Sequence, residues 1–92
     1  MRYERKPSFE RSLRRLPEDR KARVKEAVRQ LVIFFETRQQ PQGLGLKRLR
    51  SEYWEIRAGL GDRAVFRLSG DLVEFLLVGN HDEIRRLLRG AR

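Results

Sequence analysis

The apolar residues of this chain have a helical period before residue 38 and alternate over residues 53–68, and that change confines the fold to helices followed by a sheet. Phe9, Leu13 and Leu16 are spaced by four and three, which predicts a short helix over Pro7–Leu16 with Arg11, Arg14 and Arg15 turned outward. Pro17 suits the first turn of the next helix, and Glu18 and Asp19 meet the positive end of its dipole. That helix runs to Thr37 on a buried stripe of Val24, Val28, Leu31 and Phe35, so the two helices form an antiparallel pair. Between Arg38 and Leu46 the breakers Pro41, Gly43 and Gly45 predict a connecting loop.

From Tyr53 the pattern has period two. Trp54, Ile56 and Ala58 alternate with Tyr53, Glu55 and Arg57, which predicts a strand with one apolar side. Gly59-Leu60-Gly61-Asp62 turns the chain into a second strand over Arg63–Leu68, and Ser69-Gly70-Asp71 turns it into a third over Leu72–Val78. Tyr3-Glu4-Arg5 is a candidate edge strand. Asn80-His81-Asp82-Glu83 has the spacing of a capping box, so a short final helix begins there, with Ile84, Leu87 and Leu88 inward and Arg85, Arg86, Arg89 and Arg92 in solvent. The expected architecture is one α+β domain spanning residues 1–92: a helical hairpin on a three-stranded antiparallel meander, with a short C-terminal helix.

The chain contains no cysteine, which excludes disulfides, zinc–thiolate sites and thiol nucleophiles and fits a reducing compartment. The N-terminal residues lack the apolar stretch of a signal peptide, and the longest aliphatic and aromatic run, Leu31–Phe35, is too short to cross a bilayer; a cytoplasmic location is expected. Lys and Arg outnumber Asp and Glu by 22 to 13, for a net charge of +9, and 18 of the 22 bases are arginine. Arginine presents a planar fork of donors suited to phosphate, so the balance favours a polyanion over a solvated basic surface only if the charges converge.

The element order brings three sources of charge together: the loop Lys47-Arg48-Leu49-Arg50, a basic stretch ahead of the meander; the strand residues Arg57, Arg63 and Arg67; and His81, the only histidine. Strand parity puts Arg63, Val65 and Arg67 on one face and Ala64, Phe66 and Leu68 on the other. Read from spacing alone, these arginines either grip an anion or pair with Glu55 and Glu74 across strands. Trp54, with Ile56, belongs to the apolar side and to the core.

The ordered set Leu46-Lys47-Arg48-Leu49, Tyr53-Trp54-Glu55-Ile56-Arg57, Gly61-Asp62-Arg63-Ala64-Val65-Phe66-Arg67-Leu68 and Phe75-Leu76-Leu77-Val78-Gly79-Asn80-His81-Asp82 resembles the RelE-type toxins of the RelE/ParE superfamily. The resemblance implies a metal-independent, cofactor-free endoribonuclease that cuts mRNA on the ribosome, is neutralised by a cognate antitoxin, and reaches operator DNA through that antitoxin. By the same resemblance Arg63 is the phosphate-stabilising arginine, Arg57 stands at a catalytic position often occupied by a base or other polar residue, His81 falls where some members have arginine and others histidine, and Lys47, Arg48 and Arg50 match the basic stretch that contacts RNA. From its imidazole chemistry His81 is either a general acid or a helix-start residue with no catalytic task, and from its charge Arg67 is a further RNA contact. Glu55 is either a base or a salt-bridge partner of Arg57 or Arg63, and it stands where the best-known members carry lysine. Some members use a tyrosine near the C-terminus, and none follows Tyr53 here. A gyrase-directed toxin of the ParE type and a non-catalytic nucleic-acid-binding module are the competing readings.

Overall fold

A computed structural model describes residues 1–90, and Arg92 lies outside them. The elements in chain order are β1 (Arg2–Arg5), α1 (Pro7–Arg14), α2 (Glu18–Thr37), β2 (Lys47–Arg50), β3 (Tyr53–Ala58), β4 (Asp62–Ser69), β5 (Leu72–Gly79) and α3 (His81–Gly90). The five strands form one sheet in the order β1-β5-β4-β3-β2. The meander β3-β4-β5 is antiparallel as its turns require, but the sheet is larger than the expected three strands and it is mixed.

Two short, charged segments account for the difference. Lys47–Arg50, read from sequence as a basic loop, is instead the edge strand β2, antiparallel to β3 with a register shift between Arg48 and Arg50. An edge strand tolerates such charge because one side of it faces water. Tyr3-Glu4-Arg5 is a strand as anticipated, yet it runs parallel to β5, pairing Tyr3 with Val73 and Arg5 with Phe75. The two helices between β1 and the meander supply the crossover that a parallel neighbour needs.

Both helices lie on one face of the sheet. Phe9 and Leu13 of α1 and Val24, Ala27 and Leu31 of α2 are buried against Ile56, Ala58, Ala64, Phe66, Val73 and Phe75. The stripe expected on α2 is buried deepest at Val24 and Leu31, while Val28 and Phe35 are half-buried at its margins and Ala27 joins it. Phe66 is the centre of the aromatic packing, 6.0 Å from Phe75 and 6.3 Å edge-on from Phe35. Trp54, on β3 beside the edge strand β2, packs on this core and is half-buried.

Beyond the end of β1, α1 takes over the exposed edge of β5. Ser8 Oγ donates to the Leu76 carbonyl, and Ser12 Oγ accepts from the Val78 N–H at 2.9 Å. The Leu76 carbonyl lies where β5 bulges, between Leu77 opposite Val65 and Phe75 opposite Phe66, and the Val78 N–H lies just past the bulge, where Val78 pairs with Ala64. At the other end of β5 the capping box forms as read: Asn80 Oδ1 accepts from the Glu83 N–H at 3.0 Å, and Glu83 Oε1 accepts from the Asn80 N–H at 3.1 Å. Ile84 of α3 is buried, as is Val65 of β4, but neither belongs to the main core cluster. Because Ala64 and Phe66 point into that core, Val65 points to the opposite face, and α3 packs there, against β4 and β5.

Candidate nucleic-acid interface

The face of the sheet away from α1 and α2 is set by strand pairing. Arg57 stands opposite Arg63, Tyr53 opposite Arg67 and Glu55 opposite Val65 across β3–β4; Lys47 stands opposite Glu55 and Arg50 opposite Tyr53 across β2–β3. Paired residues share a face, so Lys47, Arg50, Glu55, Arg57, Arg63 and Arg67 all come to one surface. Arg48 does not. It stands opposite Trp54, and its Nε donates to the Ser51 carbonyl at 2.9 Å, which ties it to the β2–β3 turn.

Within this surface the charges are unequal. Glu55 is the most enclosed: its side chain is 5% exposed, and both carboxylate oxygens accept from Arg63 Nη1, at 3.1 and 3.3 Å. A carboxylate so far from water is tolerated because a cation pairs with it. The salt bridge that the sequence left open between Arg57 and Arg63 is made with Arg63. Arg67 is held by Glu52 at 2.9 Å and lies 3.9 Å from Glu74, which also binds Lys6 at 3.0 Å. Among the described residues Lys47 and Arg57 have no acidic partner, and Arg57 is exposed.

Arg57 is positioned by the loop ahead of β2. Leu44 is buried in the core, its carbonyl accepts from the Arg57 N–H at 2.8 Å, and the next residue, Gly45, lies against the Arg57 side chain. A Cβ at Gly45 would come within 2.9 Å of Arg57 Cβ, and its φ of +63° is one that glycine adopts without strain. The loop thus lies along the Arg57 side chain as far as its guanidinium carbon, while the residue as a whole stays exposed.

His81 is the exposed first residue of α3, two positions past Gly79, which pairs with Arg63. It shares the Arg57–Arg63 end of the sheet, but among the described residues no hydrogen bond or ion pair joins it to Glu55, Arg57 or Arg63.

One ion pair at this end was not legible from sequence. Asp62, read as a turn residue, is buried at the start of β4, and Arg20 of α2 donates to both its oxygens at 2.7 and 2.9 Å. The hydrogen bonds from Arg20 lower the Asp62 carboxyl below its ordinary pKa, outweighing the opposing effect of burial. The bond spans 42 positions of sequence, so no local pattern announces it. Arg20, Asp62, Asn80 and Glu83 border a cleft behind the β3–β4 turn, whose tip carries the fully exposed Leu60.

No family model matches the sequence, and no curated relative is found for it. Solved structures match over nearly the whole chain. A chain of the DinJ–YafQ complex from E. coli superposes with a TM-score of 0.71 at 17% identity, covering 91% of this chain and 98% of that one. The RelB–RelE antitoxin–toxin complex of Methanococcus jannaschii gives 0.68 at 19%, covering 91% and 96%. The YoeB/ParE toxin of Agrobacterium tumefaciens gives 0.66 at 19%, covering 88% and 99%. At these identities the common property is the path of the backbone, and by that measure this chain shares the fold of the chains in these structures.

Proposed function

We propose that the protein is the toxin of a toxin–antitoxin pair and acts as a metal-independent endoribonuclease on mRNA held by the ribosome. The observation that carries this reading is the exposed Arg57, without an acidic partner and directly opposite Arg63, on a basic face of this fold. In the reaction a ribose 2′-oxygen attacks the adjacent phosphorus, the 2′-proton passes to a base, and the 5′-oxygen leaves with a proton from an acid. Arg57 and Arg63 are assigned to the negative charge that builds on the phosphorane, which is where preorganised donors contribute most. Glu55 holds Arg63 in place, and His81 is assigned the acid's role. Lys47, Arg50 and Arg67 track the backbone of the message. An acidic antitoxin covers this face and is also the route to operator DNA; the complexes formed by DinJ with YafQ and by RelB with RelE support the partnership.

A non-catalytic RNA-binding module is the second reading, favoured by the commitment of Glu55 to Arg63 and by the absence of any bond tying His81 to that pair. Single-turnover cleavage of a message on programmed ribosomes separates them. Arg57→Ala is expected to slow cleavage by about 10²–10³-fold, on the scale of losing one transition-state donor, and His81→Ala by less, with ribosome binding largely kept. Binding without cleavage by the parent protein selects the non-catalytic module. Growth arrest with intact messages and inhibited gyrase selects the ParE-type activity.

A further inference from the structure

Between α2, the loop ahead of β2 and the end of β3 lies a cavity of about 210 Å³, and Arg57 borders it. Buried Ala27 and Leu44 and half-buried Pro41 give it apolar walls. The loop wall is fixed by its own backbone. The Leu44 N–H donates to the Pro41 carbonyl at 3.4 Å, the Leu44 carbonyl accepts from the Arg57 N–H at 2.8 Å, and Gly43 and Gly45 hold positive φ values of +84° and +63°. On the α2 side Arg23 lies over Gly59, where a Cβ would come within 3.0 Å of the Arg23 Nε.

Two amide side chains reach this cavity, and they differ in readiness. Gln30 Nε2 donates to Glu26 Oε1 at 2.9 Å, whereas Gln42 is exposed and its amide has no hydrogen-bond partner among the described residues. A free amide offers a donor beside an acceptor, the pattern with which glutamine reads the edge of a base. Arg23 and Arg57 add guanidinium planes, surfaces on which an unstacked base lies. Size narrows the occupant further. Drug-sized ligands take cavities of about 300–1,000 Å³, so this smaller one suits a single ring system still joined to its chain. A bare phosphate backbone would use the arginines and leave the apolar walls and the amide without a role.

We propose that this cavity is a base subsite: it takes one nucleobase of the single-stranded RNA whose phosphate Arg57 receives, and Gln42 reads the edge of that base. For the identity of its ligand the proposal rests on the RNA-directed reading above. The test compares short single-stranded RNAs of A, of C, of U and of alternating G and U with a ribose-phosphate strand that carries no bases. Binding to the parent, Q42A and R57A is followed by fluorescence anisotropy over a series of salt concentrations, with folding followed by circular dichroism. The parent is expected to bind at least one base-bearing strand about tenfold or more tighter than the baseless one, and Q42A to lose about tenfold of that margin, the scale of one base contact. Its log–log salt slope stays parental, because no phosphate contact is removed. R57A weakens all the strands alike and lowers the slope by about one. A parent that holds the baseless strand as tightly as the others, or a Q42A variant that keeps the parental margin, overturns the proposal and leaves the phosphate site at Arg57 standing. Failure of the parent to bind any strand is a different result: it removes the RNA-directed reading itself, and the base subsite with it. A parental margin in Q42A together with loss of a co-expressed acidic protein partner also overturns the proposal, because the cavity is then a protein contact.

Discussion

Arg57 is exposed and meets no acid among the described residues, whereas Arg63, facing it across the strand pair, rests on a buried glutamate. The two substitutions therefore have different consequences for folding. Arg63→Ala strands the Glu55 carboxylate away from water, and stability is expected to fall by about 2–3 kcal/mol, below the usual range for a broken buried pair because Arg63 is itself partly exposed. Glu55→Gln combined with Arg63→Ala should cost less than the two single changes added together. Arg57→Ala should stay within about 0.5 kcal/mol of the parent, as surface changes without partners do. Urea unfolding of the four variants checks all of this, and equal losses at Arg57 and Arg63 would refute the distinction. Arg57 is consequently the cleaner probe of chemistry, since an activity loss there is not a folding loss.

At the scale of elements, α1 has two unlike sides. Its inner face closes the bulged edge of β5 through Ser8 and Ser12, and its outer face presents three arginines. Ser12→Ala leaves the Val78 N–H without an acceptor inside the protein, and a loss of about 1–3 kcal/mol is expected, the cost of an orphaned buried donor. Amide exchange at Val78 should accelerate more than at the main-core residue Phe66, and unchanged protection at Val78 would show that the bond contributes nothing. The loop before β2 works similarly at a distance: buried Leu44 fixes the backbone that fixes Arg57. α3 packs against β4 and β5, with Ile84 buried, and so places His81 two residues past Gly79.

Over the whole molecule, the ion pair of Arg20 with Asp62 fastens α2 to the β3–β4 hairpin and makes stability depend on acid. The folded Asp62 pKa is depressed below its ordinary 3.8, so its contribution is present above that value and is lost as pH falls through the lower, folded value. Glu26, held to about 2 by Arg29 and Gln30, titrates in the same direction on the surface. Urea midpoints should fall between roughly pH 4 and pH 2. Asp62→Asn should lower stability at neutral pH and flatten that fall. An acid profile unchanged by Asp62→Asn would show that the pair does not couple helix and sheet.

What the sequence determined by itself is what depends on neighbours in the chain. The helical stripe of α2, the alternation of β3 and β4, and the reciprocal bonds of Asn80 and Glu83 all act within a few residues, and period and spacing expose them. Parity also brought Arg57 to the polar side of β3 and Arg63 and Arg67 to one side of β4. Tertiary structure decided the rest, because it depends on which segments meet. Arg2–Arg5 has too few apolar residues to declare a partner, and only the crossover through α1 and α2 lays it parallel to β5. Lys47–Arg50 becomes a strand because β3 offers it an open edge, and the irregular register there separates Arg48 from Lys47 and Arg50. Glu55 became the partner of Arg63, and Asp62 that of Arg20, through contacts that sequence spacing leaves undetermined: strand register for the first, and the seating of α2 on the sheet for the second.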